Sequence, residues 1–247
     1  MTISITEVGR GQVIHEGERY SMHLPPIDAN HYHNAQISSY VTREHLRHWP
    51  LLRMSLRAWA EGTLHGTAGF GFWNHPYDPT MQHLSKLRLP RAVWFFYASP
   101  PNHMPLAQGV PGHGWKCATF DAANWRFLAM LPLAIPGFLA MRLPYFYDRL
   151  WPAGQRALGV NEHLLPASTI YEPHDYSLEW LADCVVFSVD GEVVFIAPSA
   201  PQGPLGFVAW VDNQFAIVTP QGRFAYGLLH TTEPQTLHIE SLHIEQL

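Results

Sequence analysis

Charge is scarce in this chain. Asp, Glu, Lys and Arg make up 14% of its 247 residues, against about 25% in an average globular protein. Lysine is nearly missing: Lys86 and Lys116 stand alone among 15 basic residues. The 20 acidic residues outweigh them, for a net charge of −5. That balance leaves no electrostatic footprint for nucleic acid or an anionic membrane. Hydrophobic residues reach 47%, so the composition is not that of a disordered chain. Cysteine is limited to Cys117 and Cys184, both within strand-like runs. Nothing in their spacing suggests a disulfide scaffold or a zinc knuckle, and buried free thiols in a reducing cytoplasm are expected.

Other absences narrow the function classes. The first 20 residues lack a basic stretch followed by an apolar one, so no signal peptide and a cytoplasmic location are expected. A transmembrane helix needs about 20 largely apolar residues. Residues 127–143 approach that length, but Pro132, Pro136 and Arg142 interrupt them, so no integral membrane segment is expected. There is no G-x-S-x-G, no P-loop, no dinucleotide fingerprint and no H-E-x-x-H. Gly66, Gly69 and Gly71 lie in a strand context, which disfavours a phosphate cradle. Histidine is abundant, at 16 residues. His31 and His33, expected on one strand face, and His45 and His48, three apart, lack a third ligand at diagnostic spacing. No metal site and no cofactor are expected.

What is present is short strands. Residues 51–60 alternate: Leu52, Met54, Leu56 and Ala58 on one side, Arg53, Ser55, Arg57 and Trp59 on the other. Period two marks a half-buried strand. Further runs occupy 67–74, 92–99, 114–120, 176–180, 185–189, 192–197, 206–218 and 237–244, separated by Pro and Gly clusters. Asp190-Gly191 suits the positive φ angles of a type I′ hairpin turn. Many short strands with regular turn signals predict an all-β sandwich or barrel. No repeat or linker divides it, so residues 1–247 read as one domain. Residues 124–158 break the pattern as an apolar, helix-prone insertion. Three readings of it stand: a plug over a sheet edge or face, a lid over a pocket, and docking on a membrane surface, which its few basic residues disfavour.

The segment from His174 to Ala197, HDYSLEWLADCVVFSVDGEVVFIA, resembles the distal half of family-16 glycoside hydrolases in the concanavalin A-like superfamily. Tyr176, Trp180, Val189, Asp190 and Gly191 stand at matching places. The earlier GTAGFGFWN looks like the strand pair before that family's catalytic strand. The resemblance implies an antiparallel two-sheet jelly roll with a cleft on its concave sheet. It also exposes a departure. Those hydrolases carry Glu-x-Asp-x-(x)-Glu on one strand, with the working pair roughly 5 Å apart. Here that place reads Arg91-Ala92-Val93-Trp94-Phe95-Phe96-Tyr97, without a carboxylate. Family-16 hydrolysis is therefore disfavoured, and fold alone does not restore it.

The remaining candidates come from alternation. On 114–121, Trp115, Cys117, Thr119 and Asp121 share one face, and Lys116, Ala118 and Phe120 the other. Trp94 and Phe96 share a face, as do Trp210 and Asp212. Aromatic side chains beside isolated polar ones are the usual make-up of a small-molecule pocket. Charges inside apolar strands are costly unless paired. Asp212 and Asp121 are therefore candidate general acid/base groups, with burial raising their pKa values. The bland alternative is a structural ion pair, or Asp121 capping the following helix. Trp73, Asn74, Trp94, Phe96, Trp115, Lys116, Trp210 and Asn213 are candidate ligand-binding residues. The leading expectation is a pocket, partly covered by the insertion, that binds a largely apolar terpenoid or polyketide-like molecule without a cofactor, with isomerase or cyclase chemistry by acid/base groups. The alternative is a carbohydrate-binding or degenerate glycosidase-like protein. A homo-oligomer is compatible with the sequence.

Overall fold

A computed structural model describes residues 2–76 and 88–247, so Lys86 lies outside the described residues. In chain order the strands are β1 (Ser4–Val8), β2 (Gln12–Glu16), β3 (Arg19–Leu24), β4 (Asn34–Ser38), β5 (Leu52–Glu61), β6 (Thr67–Trp73), β7 (Arg91–Ala98) and β8 (Gly114–Asp121). Three helices follow: α1 (Trp125–Met130), α2 (Ala134–Ala140) and α3 (Pro144–Ala157). Then come β9 (Asn161–Leu164), β10 (His174–Trp180), β11 (Val185–Val189), β12 (Glu192–Ala197), β13 (Gly206–Asp212), β14 (Gln214–Val218), β15 (Phe224–Leu228) and β16 (Gln235–Gln246).

Two seven-stranded sheets face each other. One runs β1-β4-β13-β6-β7-β8-β9, the other β12-β11-β10-β5-β16-β3-β2, and β14-β15 form a separate hairpin. The pairings within both sheets are antiparallel. This is an antiparallel two-sheet jelly-roll sandwich with a helical insertion. Alternation explains the second sheet directly. In β5, Leu52, Met54, Leu56, Ala58 and Ala60 are buried, while the intervening side chains face outward. Outward Arg53 and Arg57 meet their cross-strand partners Glu179 and Asp175 at 2.7 and 3.0 Å. Between the sheets, Phe70, Phe95 and Trp115 from one layer interlock with Tyr176 and Phe187 from the other.

The first sheet is unusual because β6 and β13 are buried on both faces. The chain between β7 and β8 and the β14–β15 hairpin cover part of its outer face. The 206–218 run, expected as one strand, is two. Asn213 ends β13, and the chain leaves the sheet there. Its side chain accepts from His33 N and donates to the carbonyls of His31 and Leu229, at 2.8 to 3.1 Å. Those bonds fix the switch into the hairpin. His31 and His33 precede β4 instead of sharing a strand face, and His33 Nδ1 accepts from Arg10 N. Both cysteines are free, but only Cys117 is buried; Cys184 is half-buried in the turn before β11. The Asp190-Gly191 turn has φ of 51° and 81°, as the hairpin requires.

Candidate functional site

The outer face of the first sheet carries the site. β7 turns Val93 and Phe95 into the core, so period two turns Ala92, Trp94 and Phe96 outward. Across from them, register pairs Trp94 with Gly71 and Ala118, and Phe96 with Gly69 and Lys116. The glycines make room for the rings. Gly71 has φ +150°, and a Cβ there would fall 2.7 Å from Trp94 Cβ. The result is an aromatic strip. Trp73 and Trp210 stack with centroids 6.2 Å apart, Trp94 lies 5.3 Å from Trp210, and Phe96 lies 5.3 Å from Trp94.

At one end the strip borders a cavity of about 270 Å³. Trp94, Phe96, Trp210 and Phe120 line it from the sheet, Met104 and Leu106 from the β7–β8 connection, and Ala216 and Tyr226 from the hairpin. One ion pair interrupts this carbon surface. Lys116 Nζ lies 3.5 Å from Glu162 Oε2, which also accepts from Ala107 N at 3.2 Å. Lys116 is 2% exposed. Burial pulls its pKa down and pushes that of Glu162 up, each opposed by the partner's charge. Glu162 is the sole carboxylate among the described residues that line this cavity, so no acid pair of the retaining or inverting kind is present there. Asn102 and Thr67 also line it, but their polar atoms are engaged. Asn102 bonds the backbone of Gly66, Ser99 and Ala216. Thr67 Oγ1 donates to Asp212 at 2.8 Å and accepts from Trp210 Nε1 at 3.0 Å.

The other end of the strip borders a second, polar pocket of about 480 Å³. Gln36 and Ser38 of β4, Tyr40, Arg43, His75 and Arg88 line it. Tyr40 ties it to the strip by accepting a hydrogen bond from Trp73 Nε1. Arg43 Nε donates to His75 O at 2.6 Å.

Several expected site residues lie elsewhere. Trp115 does not face the cavity: its side chain is fully buried between the sheets, against Phe70 and Tyr176. Alternation separates it from Lys116 correctly, but both faces of β8 are apolar enough to be covered. Asp212 is 1% exposed and does not line the cavity. Both its oxygens are occupied, Oδ1 by Thr67 and Gln214 and Oδ2 by Tyr32. Burial pushes its pKa up to about 7, with those hydrogen bonds opposing. It reaches the cavity through Thr67 and Gln214, both of which line it. Asp121 pairs with Arg91 Nε at 2.9 Å and accepts from Ala123 N. Asn124, not Asp121, caps α1. Asn74 bonds the backbone of Leu89 and Arg91, and Asn213 holds the strand switch. Trp94, Phe96, Lys116 and Trp210 do line the cavity, and Trp73 stacks beside it.

The insertion is not the cavity's cover. No residue of α1–α3 is among the described lining residues. Its buried side, with Met141, Trp151 and Phe138, packs against Leu106, Ala107 and Val110 behind the β7–β8 connection. Sequence reading missed Glu162, Met104, Leu106, Tyr226 and the polar pocket. β9 is four residues long with little apolar alternation, so its Glu162 carried no pattern to betray it.

No family model and no curated protein matches the chain. Solved structures do share its fold. One is the GlcNAcα1-4Gal releasing endo-β-galactosidase from Clostridium perfringens, with TM-score 0.50 and 12% identity over 95% of this chain and 53% of that one. Another comes from work on endo-acting O-glycanases expressed by members of the human gut microbiota, with TM-score 0.50 and 12% identity over 97% and 84%. A third is the Crh5 transglycosylase in complex with NAG, with TM-score 0.50 and 12% identity over 99% and 78%. The chain spans about half the length of the endo-β-galactosidase. At this identity the likeness shows the fold, in agreement with the jelly roll implied by the His174–Ala197 segment.

Proposed function

We propose that this chain binds a saccharide across the outer face of its first sheet without hydrolysing it. The observation that carries the reading is the aromatic strip of Trp73, Trp94, Phe96 and Trp210 leading into a polar pocket with Gln36, Ser38, Arg43 and Arg88. Sugar rings present C–H faces to aromatic rings and hydroxyls to planar donors and amides. The fold shared with solved structures of glycan-acting enzymes supports this, as do Trp94 and Phe96 on β7, where the resemblance to family-16 hydrolases would lead one to expect carboxylates. Among the described residues one carboxylate, ion-paired Glu162, lines the cavity and one, Glu44, lines the polar pocket, so neither holds an acid pair and no step of glycosidic cleavage is assigned.

A second reading rests on the apolar end. A cavity lined by Trp94, Phe96, Met104 and Leu106 suits an apolar guest, with Lys116 and Glu162 in place of the expected Asp212 and Asp121 as the acid/base pair.

Titration of tryptophan fluorescence separates the two. Oligosaccharides derived from β-galactans and β-glucans form one arm, and farnesol and a medium-chain fatty acid the other. Quenching by saccharides alone is the expected result. Response to the apolar ligands alone overturns the saccharide reading, and silence in both arms overturns both.

A further inference from the structure

The insertion has two unlike sides. Its inner side is anchored: Trp151 Nε1 donates to Leu106 O at 2.9 Å, and Met141 and Phe138 pack in the same cluster. Its outer side is a crown of large apolar side chains left in water. Trp125 is 72% exposed and Ile135 73%, and Leu133, Leu139, Leu143 and Tyr145 stand out beside them. Phe138 touches Phe224 at the tip of the β14–β15 hairpin, with centroids 6.0 Å apart, and exposed Phe224 extends the crown. So many large apolar side chains exposed on one insertion mark an interaction site.

The charge around the crown says what kind. Residues 124–158 carry Arg126, Arg142, Arg149 and Arg156, all exposed, against the single acid Asp148. The chain as a whole is acidic, at −5. Counted along the chain these four arginines are few; the fold leaves all four exposed on the same insertion as the apolar crown. Two lie over aromatic rings of the crown, Arg126 at 5.8 Å from the Trp125 centroid and Arg149 at 3.6 Å from Tyr145. Aromatic rings with cationic heads beside exposed aliphatic side chains match the boundary between acyl chains and anionic headgroups. A second copy meeting the crown face to face would set arginines against arginines. No helix of the described residues is long and apolar enough to cross a membrane, and the three helices are too short to do more than lie in the interface.

We propose that the outer side of α1–α3 docks in the headgroup region of an anionic lipid bilayer, with Trp125, Leu133, Ile135 and Leu143 inserted and the arginines at the phosphate level.

The test is flotation of the full chain with vesicles. One set is pure phosphatidylcholine; the other contains 30 mol% phosphatidylserine. The expected result is recovery with the anionic vesicles, at least tenfold weaker binding to the neutral ones, and loss of most binding in 0.5 M NaCl. Leu133→Ser/Ile135→Ser should lower anionic binding at least tenfold, and Arg126→Gln/Arg149→Gln should lower it several-fold, with circular dichroism unchanged. These positions are exposed and outside both pockets, and the wild-type lipid comparison stands even if a variant misfolds. Failure of the wild-type chain to float with either vesicle overturns the proposal, as does equal binding to both. A concentration-dependent dimer that Leu133→Ser/Ile135→Ser abolishes, without vesicle binding, assigns the crown to a second copy and overturns it as well.

Discussion

Lys116 and Glu162 form an ion pair at 3.5 Å inside a cavity whose other walls are mostly carbon. Breaking one side strands the other. Glu162→Gln leaves a buried ammonium and should cost about 3–5 kcal/mol near pH 7. Burial already lowers the Lys116 pKa, and loss of the carboxylate lowers it further. A cation with a depressed folded-state pKa destabilises the fold while protonated, so the deficit should shrink as pH rises through that pKa. Lys116→Met/Glu162→Leu should be far milder than the single change. Urea unfolding of the three proteins at pH 7 and 9.5 checks this.

Trp94 and Trp115 divide the sheet into its two surfaces. Trp94→Ala should weaken saccharide binding roughly tenfold by removing a stacking face, with a modest loss of stability. Trp115→Ala should cost about 3–5 kcal/mol by opening a hole between the layers. Fluorescence titration beside thermal unfolding measures both. Equal effects on ligand and stability for the two variants would contradict the assignment of faces.

Asp212 should make stability depend on pH. Its folded-state pKa of about 7 lies above the ordinary aspartate value of 3.8. The folded chain therefore holds a proton that the unfolded chain gives up between those values. Stability from this group falls as pH rises from about 4 to about 7, and is lowest above that. Asp212→Asn keeps an acceptor for Thr67 and should flatten the slope, by up to about 4 kcal/mol across the window. Denaturant midpoints from pH 4 to 8 for both proteins supply the comparison.

Asn213 holds the exit from β13 through three backbone partners. Asn213→Ala leaves buried polar groups unmet, at about 1–3 kcal/mol each. Amide exchange should quicken first in β14 and β15, which the switch anchors, and least in β10 and β11. Uniform acceleration would instead indicate global destabilisation without a local switch.

Much of the sandwich could be read from the chain. Alternation in β5 located its buried face to the residue, and Asp190-Gly191 located a hairpin. The strands β1–β4, β9 and β15 escaped because they are short and weakly patterned, and are held by neighbours rather than by their own periodicity. Half of the candidate site was legible in the same limited sense. Trp94, Phe96, Lys116 and Trp210 line one cavity, whereas Asp212 and Asp121 lie outside its lining, held by Thr67 and by Arg91.

Residue order by itself determined which side chains of a strand part company, since successive Cβ atoms point to opposite faces. Trp115 and Lys116 were bound to be separated. The packed molecule alone decided which of them met the second sheet and which a pocket, because both faces of this sheet are apolar enough to be covered. It also brought Glu162 to Lys116 and turned the insertion's arginines and aliphatic side chains outward. Such meetings depend on how layers stack and loops fold back, and local periodicity carries no record of either.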